Sequence, residues 1–312
     1  MSVDAPPFRH DALFYTDAAS YRAGLLAFIR DGLDSAEPVL VAVPQPGLGL
    51  VRSALNATES ARVRTADMGA AGRNPGRIIG GVLRAFVAEH GERPVRIIGE
   101  PIWAGRSGDE YPACAEHEAL INVALADTSA YVLCPYDVRR LDRSVLTDAT
   151  RTHPTLNSGG ERWESPGYTD PLAVAAWFDR PLTPAPPEAD VLVIGPSTGP
   201  GTARRFVHSY AERKGMRPER IADLRSAVQE LVVNTLLHAG GSGLLTIWTA
   251  DGHVVCQVQD GGRITDPLAG RRPPEPHEAG HGLYAVHQLC DLVRVHRRRD
   301  GTVVRIHLAL PG

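Results

Sequence analysis

The sequence has little cysteine, and nothing in the spacing pairs what there is. Cys114, Cys134, Cys256 and Cys290 lie far apart without a C-x-x-C, so their order writes no disulfide framework. The start, MSVDAPPFRHD, has neither a basic opening nor an apolar core, so no secretory signal is read there and a reducing cytoplasm is the expected location. Long apolar runs are absent too: VLVAVP and VRIIG are strand-sized, well short of the ~20 residues a spanning helix needs. Excess charge of one sign is missing, with 33 Lys and Arg against 36 Asp and Glu for a net −3 and a pI near 6.5. Direct binding to nucleic acid or to an anionic membrane is therefore not expected. A phosphate loop, G-x-x-x-x-G-K-[ST], is also lacking. PQPGLGLVRSAL has neither its lysine nor its hydroxyl, which argues against nucleotide hydrolysis in the first half.

What is present is a globular composition, 43% hydrophobic and 22% charged, with a mean hydropathy of −0.16. At 312 residues two modules are expected rather than one core. From residue 9 to 180, β-branched runs at 39–43, 61–68, 95–100 and 130–137 alternate with helical patterns at 17–34, 74–91 and 113–127. Such alternation predicts a mostly parallel sheet covered on both faces. RPLTPAPPEAD carries Pro181, Pro184, Pro186 and Pro187, a stiff connector, so 181–189 is read as a linker and 190–312 as a second domain. There a strand at 190–195, helices near 201–214 and 218–238, and four further strands predict helices gathered on one side of a mixed sheet. In the last strand Val304, Ile306 and Leu308 alternate with Val303, Arg305 and His307, which predicts one covered face.

QELVVNTLLHAG, residues 229–240, poses the functional question. Ile221, Leu224, Val228, Leu231, Val232 and Thr235 make the packing stripe of this helix, while Glu230, Asn234 and His238 recur every four residues on another strip. That spacing stacks side chains, so a carboxylate and an amide oxygen converge on one point. Both are hard oxygen donors suited to Mg²⁺ bridging to phosphates. E-x-x-x-N alone is more often a solvated helix face. Its company changes the weighing: QDGGRI puts Asp260 at a strand end before Gly262, EAGHGLYAV puts Gly280 and Gly282 ahead of an apolar helix, and RDGTVVRI puts Thr302 at a turn. Glycines opening a helix let backbone N–H groups approach phosphate.

This ordered set resembles the ATP-binding domain shared by gyrase B, histidine kinases and MutL, and within it the anti-sigma-factor serine kinases of the RsbW and SpoIIAB type. The resemblance spans about 190–312 and implies an α/β-sandwich of Bergerat type. It makes Asn234 the Mg²⁺ ligand and Glu230 the catalytic base, with Asp260 on the adenine amine and Thr302 nearby. Gly262 lets the purine approach, and Gly280, His281, Gly282 and Leu283 form the phosphate turn. Residues 263–279 become a lid in which Arg271 or Arg272 could meet phosphate. ATP and Mg²⁺ are the implied cofactors. A sigma factor of RNA polymerase and a STAS-type antagonist phosphorylated on serine are the implied partners, with a homodimer as the expected assembly. A non-catalytic ATP-gated binding protein is the alternative. An atypical sensor histidine kinase ranks third, because between the linker and Glu230 there is room for only one spare helix, and His208 on it reads as an ordinary helix residue.

In the first half, HDALFYTDAASY, GEPIWAG, CAEHEALIN, CPYD and RTHPTL resemble the MEDS sensory domain, which implies a RecA-like α/β fold and a small-molecule signal. Open parallel sheets bind ligands beyond the carboxyl ends of their strands, where Glu100, Trp103, Cys134, Tyr136 and Asp137 are expected to collect. His10, Cys114, His117, Cys134 and His153 could make a metal or thiol site. C-x-x-H alone is weak, however, and buried cysteines are usually inert, so packing is the preferred reading.

Overall fold

Val39–Val43, an unbroken apolar run, forms a strand in which every residue is buried, as expected where both sheet faces are covered. It belongs to the first of two units into which the chain divides, Met1–Phe178 and Asp179–Gly312. In this computed structural model residues 7–274 and 280–311 are described. The first unit has strands β1 (Arg9–Tyr15), β2 (Val39–Val43), β3 (Val63–Asp67), β4 (Val95–Gly99), β5 (Ala130–Asp137), β6 (Thr155–Ser158) and β7 (Glu161–Glu164). They form one sheet in the order β3-β2-β4-β5-β1-β6-β7, parallel throughout except for the β6–β7 hairpin. Its helices are α1 (Ala18–Asp34), α2 (Gln45–Ala54), α3 (Ala57–Arg62), α4 (Met68–Ala71), α5 (Ala85–His90), α6 (Tyr111–Ala124), α7 (Arg143–Thr152) and α8 (Pro171–Phe178). This is the α/β architecture read from the alternation.

The shorter elements, among them β6 and β7, go beyond that reading, and two details differ from it. The single helix expected over 74–91 is a 3₁₀ turn at Pro75–Arg77, a π-helical stretch at Ile79–Arg84 and then α5. Pro75 and the Gly80–Gly81 pair weaken continuous α-helix there. Strand β1 is hidden in the sequence by His10 and Asp11, which are nevertheless buried to 1% and 0% exposure. Asp11 tolerates burial because it accepts Arg162 Nε at 2.6 Å and the Tyr131 hydroxyl at 2.7 Å, satisfying a charge that would otherwise be costly.

The second unit has strands β8 (Asp190–Ile194), β9 (Gly243–Ala250), β10 (His253–Asp260), β11 (Leu292–Arg298) and β12 (Gly301–Ala309), in the order β11-β12-β10-β9-β8. Every pairing is antiparallel, so the expected mixed sheet is corrected to an antiparallel one. Short hairpins join β9 to β10 and β11 to β12, and helices fill the longer connections. Helices α9 (Pro200–Arg213), α10 (Pro218–His238) and α11 (His281–Leu289) share one core with the inner sheet face, including Val228, Val232, Ile247, Cys256, Val286 and Ile306. The stripe expected on α10, from Ile221 to Thr235, is buried as a whole. The other face of the sheet is covered more than its alternation predicts, since Val303 and Arg305 are each 6% exposed. Arg305 reaches Gln257 Oε1 at 2.7 Å and the Thr183 carbonyl, and lies 5.0 Å over the Trp248 ring. A guanidinium with its donors used and a face stacked can be buried at small cost. Asp179 likewise accepts from His296 Nδ1 at 2.7 Å and from the Arg297 backbone, so residues 179 and 183 are bonded into the second unit.

Cys114, Cys134, Cys256 and Cys290 are all free and buried. No helix among the described residues is long and apolar enough to cross a membrane.

Candidate functional site

The second unit holds a cavity of 260 Å³ bounded by Asn234 and His238 of α10, Asp260 and Gly262 at the end of β10, Gly280 and Leu283 at the start of α11, and Thr302 of β12. Its walls are apolar where Leu231, Val258, Ala269 and Val304 contribute, and the Asp260 carboxylate, Asn234 amide, Thr302 hydroxyl, His238 imidazole and Arg263 guanidinium supply its polar groups. A second hollow of 250 Å³ shares Ile264, Ala269 and Gly280 with it.

Two of the polar groups are held in place by neighbours. Asp260 accepts the Thr235 hydroxyl at 2.6 Å and the Gly262 N–H at 2.9 Å. Thr302 donates to the Gly262 carbonyl at 2.7 Å. Together these bonds tie α10, the β10 end and β12 into one rigid rim. A Cβ at Gly262 would come within 3.0 Å of the Ala239 side chain, so glycine is what leaves this rim open. Gly280 caps α11 in the left-handed region at φ 112°, and a nine-residue helix then presents its N-terminus beside the cavity, an arrangement suited to anions. Glu230 does not line the cavity but sits against the same turn: a Cβ at Gly282 would lie 2.7 Å from Glu230 Oε2 and 3.6 Å from Asn234 Nδ2. His281 is exposed at the first position of α11.

Of the residues singled out in sequence, Asn234, Asp260, Gly262, Gly280, Leu283 and Thr302 thus meet at one cavity, with Glu230 and Gly282 adjoining and His281 outside. Residues 275–279 of the expected lid lie outside the described residues. Within the rest, Arg271 is 4% exposed and lies near His287, whose imidazole is pushed down to about 3 by burial and by the Arg271 and Arg297 charges. Arg272 is half-exposed, 3.9 Å from Asp266. His208 pairs with Glu212 one turn along α9.

Thr235 escaped the sequence reading, which assigned it to packing. Its signal was available: it is the one hydroxyl in an otherwise apolar stripe, and it directly follows Asn234. Its hydroxyl also contacts the Leu231 carbonyl at 3.1 Å.

A cavity with a carboxylate, an amide-bearing helix strip and a glycine-opened helix fits a nucleotide with its metal by donor chemistry. The family described as histidine kinase-like ATPase domain matches residues 200–308. The MEDS family, described as the MEthanogen/methylotroph, DcmR Sensory domain, matches residues 9–154. No curated protein matches. Similar solved structures include the RsbU and RsbW domains of Rv1364c from Mycobacterium tuberculosis, 21% identical, with a TM-score of 0.31. That match covers 40% of this chain, which spans only 33% of the matched one. Another is the histidine kinase domain of a blue-light activated histidine kinase from Erythrobacter litoralis, 18% identical over 65% of this chain and 94% of that one, with a TM-score of 0.25. At TM-scores this low both stand as likenesses only. The chain joins a MEDS sensory domain to a histidine kinase-like ATPase domain.

Proposed function

We propose that the protein is a signal-responsive regulator whose second unit binds Mg-ATP and acts on a partner protein, sequestering a sigma factor, phosphorylating a serine of a STAS-type antagonist, or both. The observation that carries this is the convergence of Asn234, Asp260, Gly262, Gly280, Leu283 and Thr302 on one cavity. The adenine would lie between the apolar walls, with its amine on Asp260 and Gly262 allowing close approach. Asn234 would hold Mg²⁺ through its amide oxygen, and the backbone from Gly280 to Leu283 would take phosphate. Bound Mg²⁺ would neutralise charge on the phosphates, the usual contribution of a metal to phosphoryl transfer. Glu230 would accept the proton of an attacking hydroxyl. The first unit, as a MEDS domain, would take a small-molecule signal.

Calorimetric titration of Mg-ATP into the full chain tests the binding. Wild type is expected to bind, while Asn234→Ala and Asp260→Asn lose at least ~10-fold in affinity, about 1.4 kcal/mol. Equal affinity in all three would place the nucleotide elsewhere.

One observation favours a second reading, a non-catalytic ATP-gated binder: Glu230 is not among the residues lining the cavity. Glu230→Gln separates the two. Loss of serine phosphotransfer with nucleotide affinity retained supports catalysis, whereas unchanged regulatory output supports gating alone.

A further inference from the structure

In the first unit four ionisable side chains that are remote in sequence meet in complete burial. His10 comes from β1, Glu118 from α6, Cys134 from β5 and His153 from the end of α7, at 1%, 1%, 2% and 0% exposure. Glu118 Oε2 is 3.2 Å from His10 Nε2 and 3.2 Å from His153 Nε2. His10 Nε2 is also 3.4 Å from Cys134 Sγ, and one ligand atom from each residue lies within 4.8 Å of all the others. Cys114 and His117, which the sequence reading grouped with these residues, are not in the cluster.

The surroundings fix which ring nitrogen carries hydrogen. The Asn122 amide nitrogen donates to the carbonyls of Thr152, Ala119 and Glu118, so its oxygen is the acceptor facing His10 Nδ1 at 3.2 Å. His153 Nδ1 faces the Ala149 carbonyl at 2.9 Å, which can only accept, and the Thr152 hydroxyl at 2.9 Å, whose own proton is taken by the Asp148 carbonyl at 3.1 Å. Both rings are therefore N–H at Nδ1, and a neutral ring then turns the Nε2 lone pair toward a carboxylate and a sulfur. Apart from the Cys134 thiol, a weak donor that can answer only one of them, acceptors face acceptors: Glu118 Oε1, Glu118 Oε2 and His153 Nε2 make no hydrogen bond. Buried polar groups in folded proteins are rarely left so.

Protons are a poor remedy. Charging both rings would place two imidazolium ions with centroids 4.0 Å apart in complete burial, where like charges repel strongly. Charging one ring leaves the other lone pair unanswered. A single dication answers all four groups at once.

We infer that His10 Nε2, His153 Nε2, Glu118 Oε2 and Cys134 Sγ form a tetrahedral site for one divalent transition-metal ion, with zinc the best match to two imidazoles, a carboxylate and a thiolate. Zinc–ligand bonds of about 2.0–2.3 Å make the edges of such a tetrahedron roughly 3.3–3.6 Å, close to the three separations above. The widest pair needs to close by about an ångström. Binding displaces the Cys134 proton to solvent, so the dication, one carboxylate and one thiolate sum to zero charge, which suits a site without water contact. Asn122 and the Ala149 carbonyl supply the outer hydrogen bonds that orient metal-bound histidines. The ion would link β1, β5, α6 and α7 of the unit.

The experiment uses the full chain, expressed with added zinc, dialysed against a mild chelator and measured by elemental analysis. Wild type, Cys114→Ser and Asn234→Ala are expected to retain ~1 equivalent of zinc per chain, and Cys134→Ser and His153→Gln less than roughly a tenth of that. Asn234→Ala also keeps the result independent of the nucleotide site. Replacing zinc by cobalt should give thiolate charge-transfer absorption and the strong d–d bands of a tetrahedral ion, with the charge-transfer absorption lost in Cys134→Ser. Should His153→Gln fail to fold, Cys134→Ser differs from wild type by a single atom and decides the matter. A wild-type chain that holds no zinc after expression and refolding with zinc, or a Cys134→Ser chain with unchanged zinc content and cobalt spectrum, overturns the site.

Discussion

Asp260 owes its orientation to neighbours that no motif includes. Thr235 donates to one oxygen at 2.6 Å and Gly262 N–H to the other at 2.9 Å, which leaves the remaining lone pairs directed by a fixed carboxylate. Thr235→Val keeps the shape of a fully buried side chain and removes only the donor, so Mg-ATP affinity is expected to fall about 5–10-fold, roughly 1–1.4 kcal/mol, with the far-ultraviolet circular dichroism spectrum unchanged. Calorimetry checks this, and wild-type affinity would mean Asp260 does not depend on Thr235. Gly301 is a sharper case. With φ at 155°, a Cβ there would overlap the Asp260 carbonyl oxygen, so Gly301→Ala should cost about 3 kcal/mol or more in denaturant unfolding of the second unit. Asn234, Asp260 and the glycines are legible in sequence because backbone demands and donor chemistry restrict residue type. Thr235 is legible only in part: its hydroxyl marks it within an apolar stripe, but a threonine there reads equally well as packing until the strand opposite is known.

Among elements, strong periodicity was legible and interrupted periodicity was not. The stripes of α1, α6 and α10 and the runs of β2, β4 and β5 emerge close to their observed bounds. Strands β1, β6 and β7 do not, since each mixes charged and polar residues: β1 and β6 pair with partners over a hundred positions away, as Asp11 depends on Tyr131 and Arg162, and β7 is an exposed edge strand paired with β6. The end of β4 shows the same dependence. Glu100 follows it, 6% exposed, accepting the Tyr21 hydroxyl of α1 at 2.7 Å. Burial, countered by that hydroxyl and reinforced by Asp137, pushes its carboxyl up to about 8. The folded chain therefore binds a proton that the unfolded chain has released above the ordinary carboxylate value of 4.5. The associated stability is fully present below about 4.5 and is lost as pH rises through about 8, since stability falls with pH wherever the folded state holds more protons. Glu100→Gln keeps a neutral acceptor and removes the titration. Its denaturation midpoint for the first unit is expected to lose less than wild type does between pH 5 and pH 8, the difference amounting to roughly 2–4 kcal/mol. Parallel pH profiles for the two chains would show that Glu100 titrates in its ordinary range.

For the molecule as a whole, two units with separate cores should unfold in two steps, because cooperativity follows the contiguous core. On the proposed function, Mg-ATP bound only by the folded second unit would stabilise it by about 2.7 kcal/mol at a hundredfold excess over Kd. For a unit spanning residues 179 to 312 that corresponds to a rise of roughly 10 °C in one calorimetric transition, absent in Asn234→Ala. The proline-rich stretch reads in sequence as a connector, whereas the two units divide at Phe178 and Asp179; the attachment of Asp179 and Thr183 to the second sheet rests on hydrogen bonds to Arg297 and Arg305 that the residues alone do not reveal. Regulation adds a stricter demand. If a ligand of the first unit biases the nucleotide site, a coupling free energy joins them, and it is reciprocal for binding. Saturating the first unit should then change Mg-ATP affinity by the same factor by which Mg-ATP changes affinity for the signal. A signal ligand that shifts its own transition while leaving Mg-ATP affinity unaltered would confine any regulation to partner binding, since nothing would then pass between the two sites in free energy.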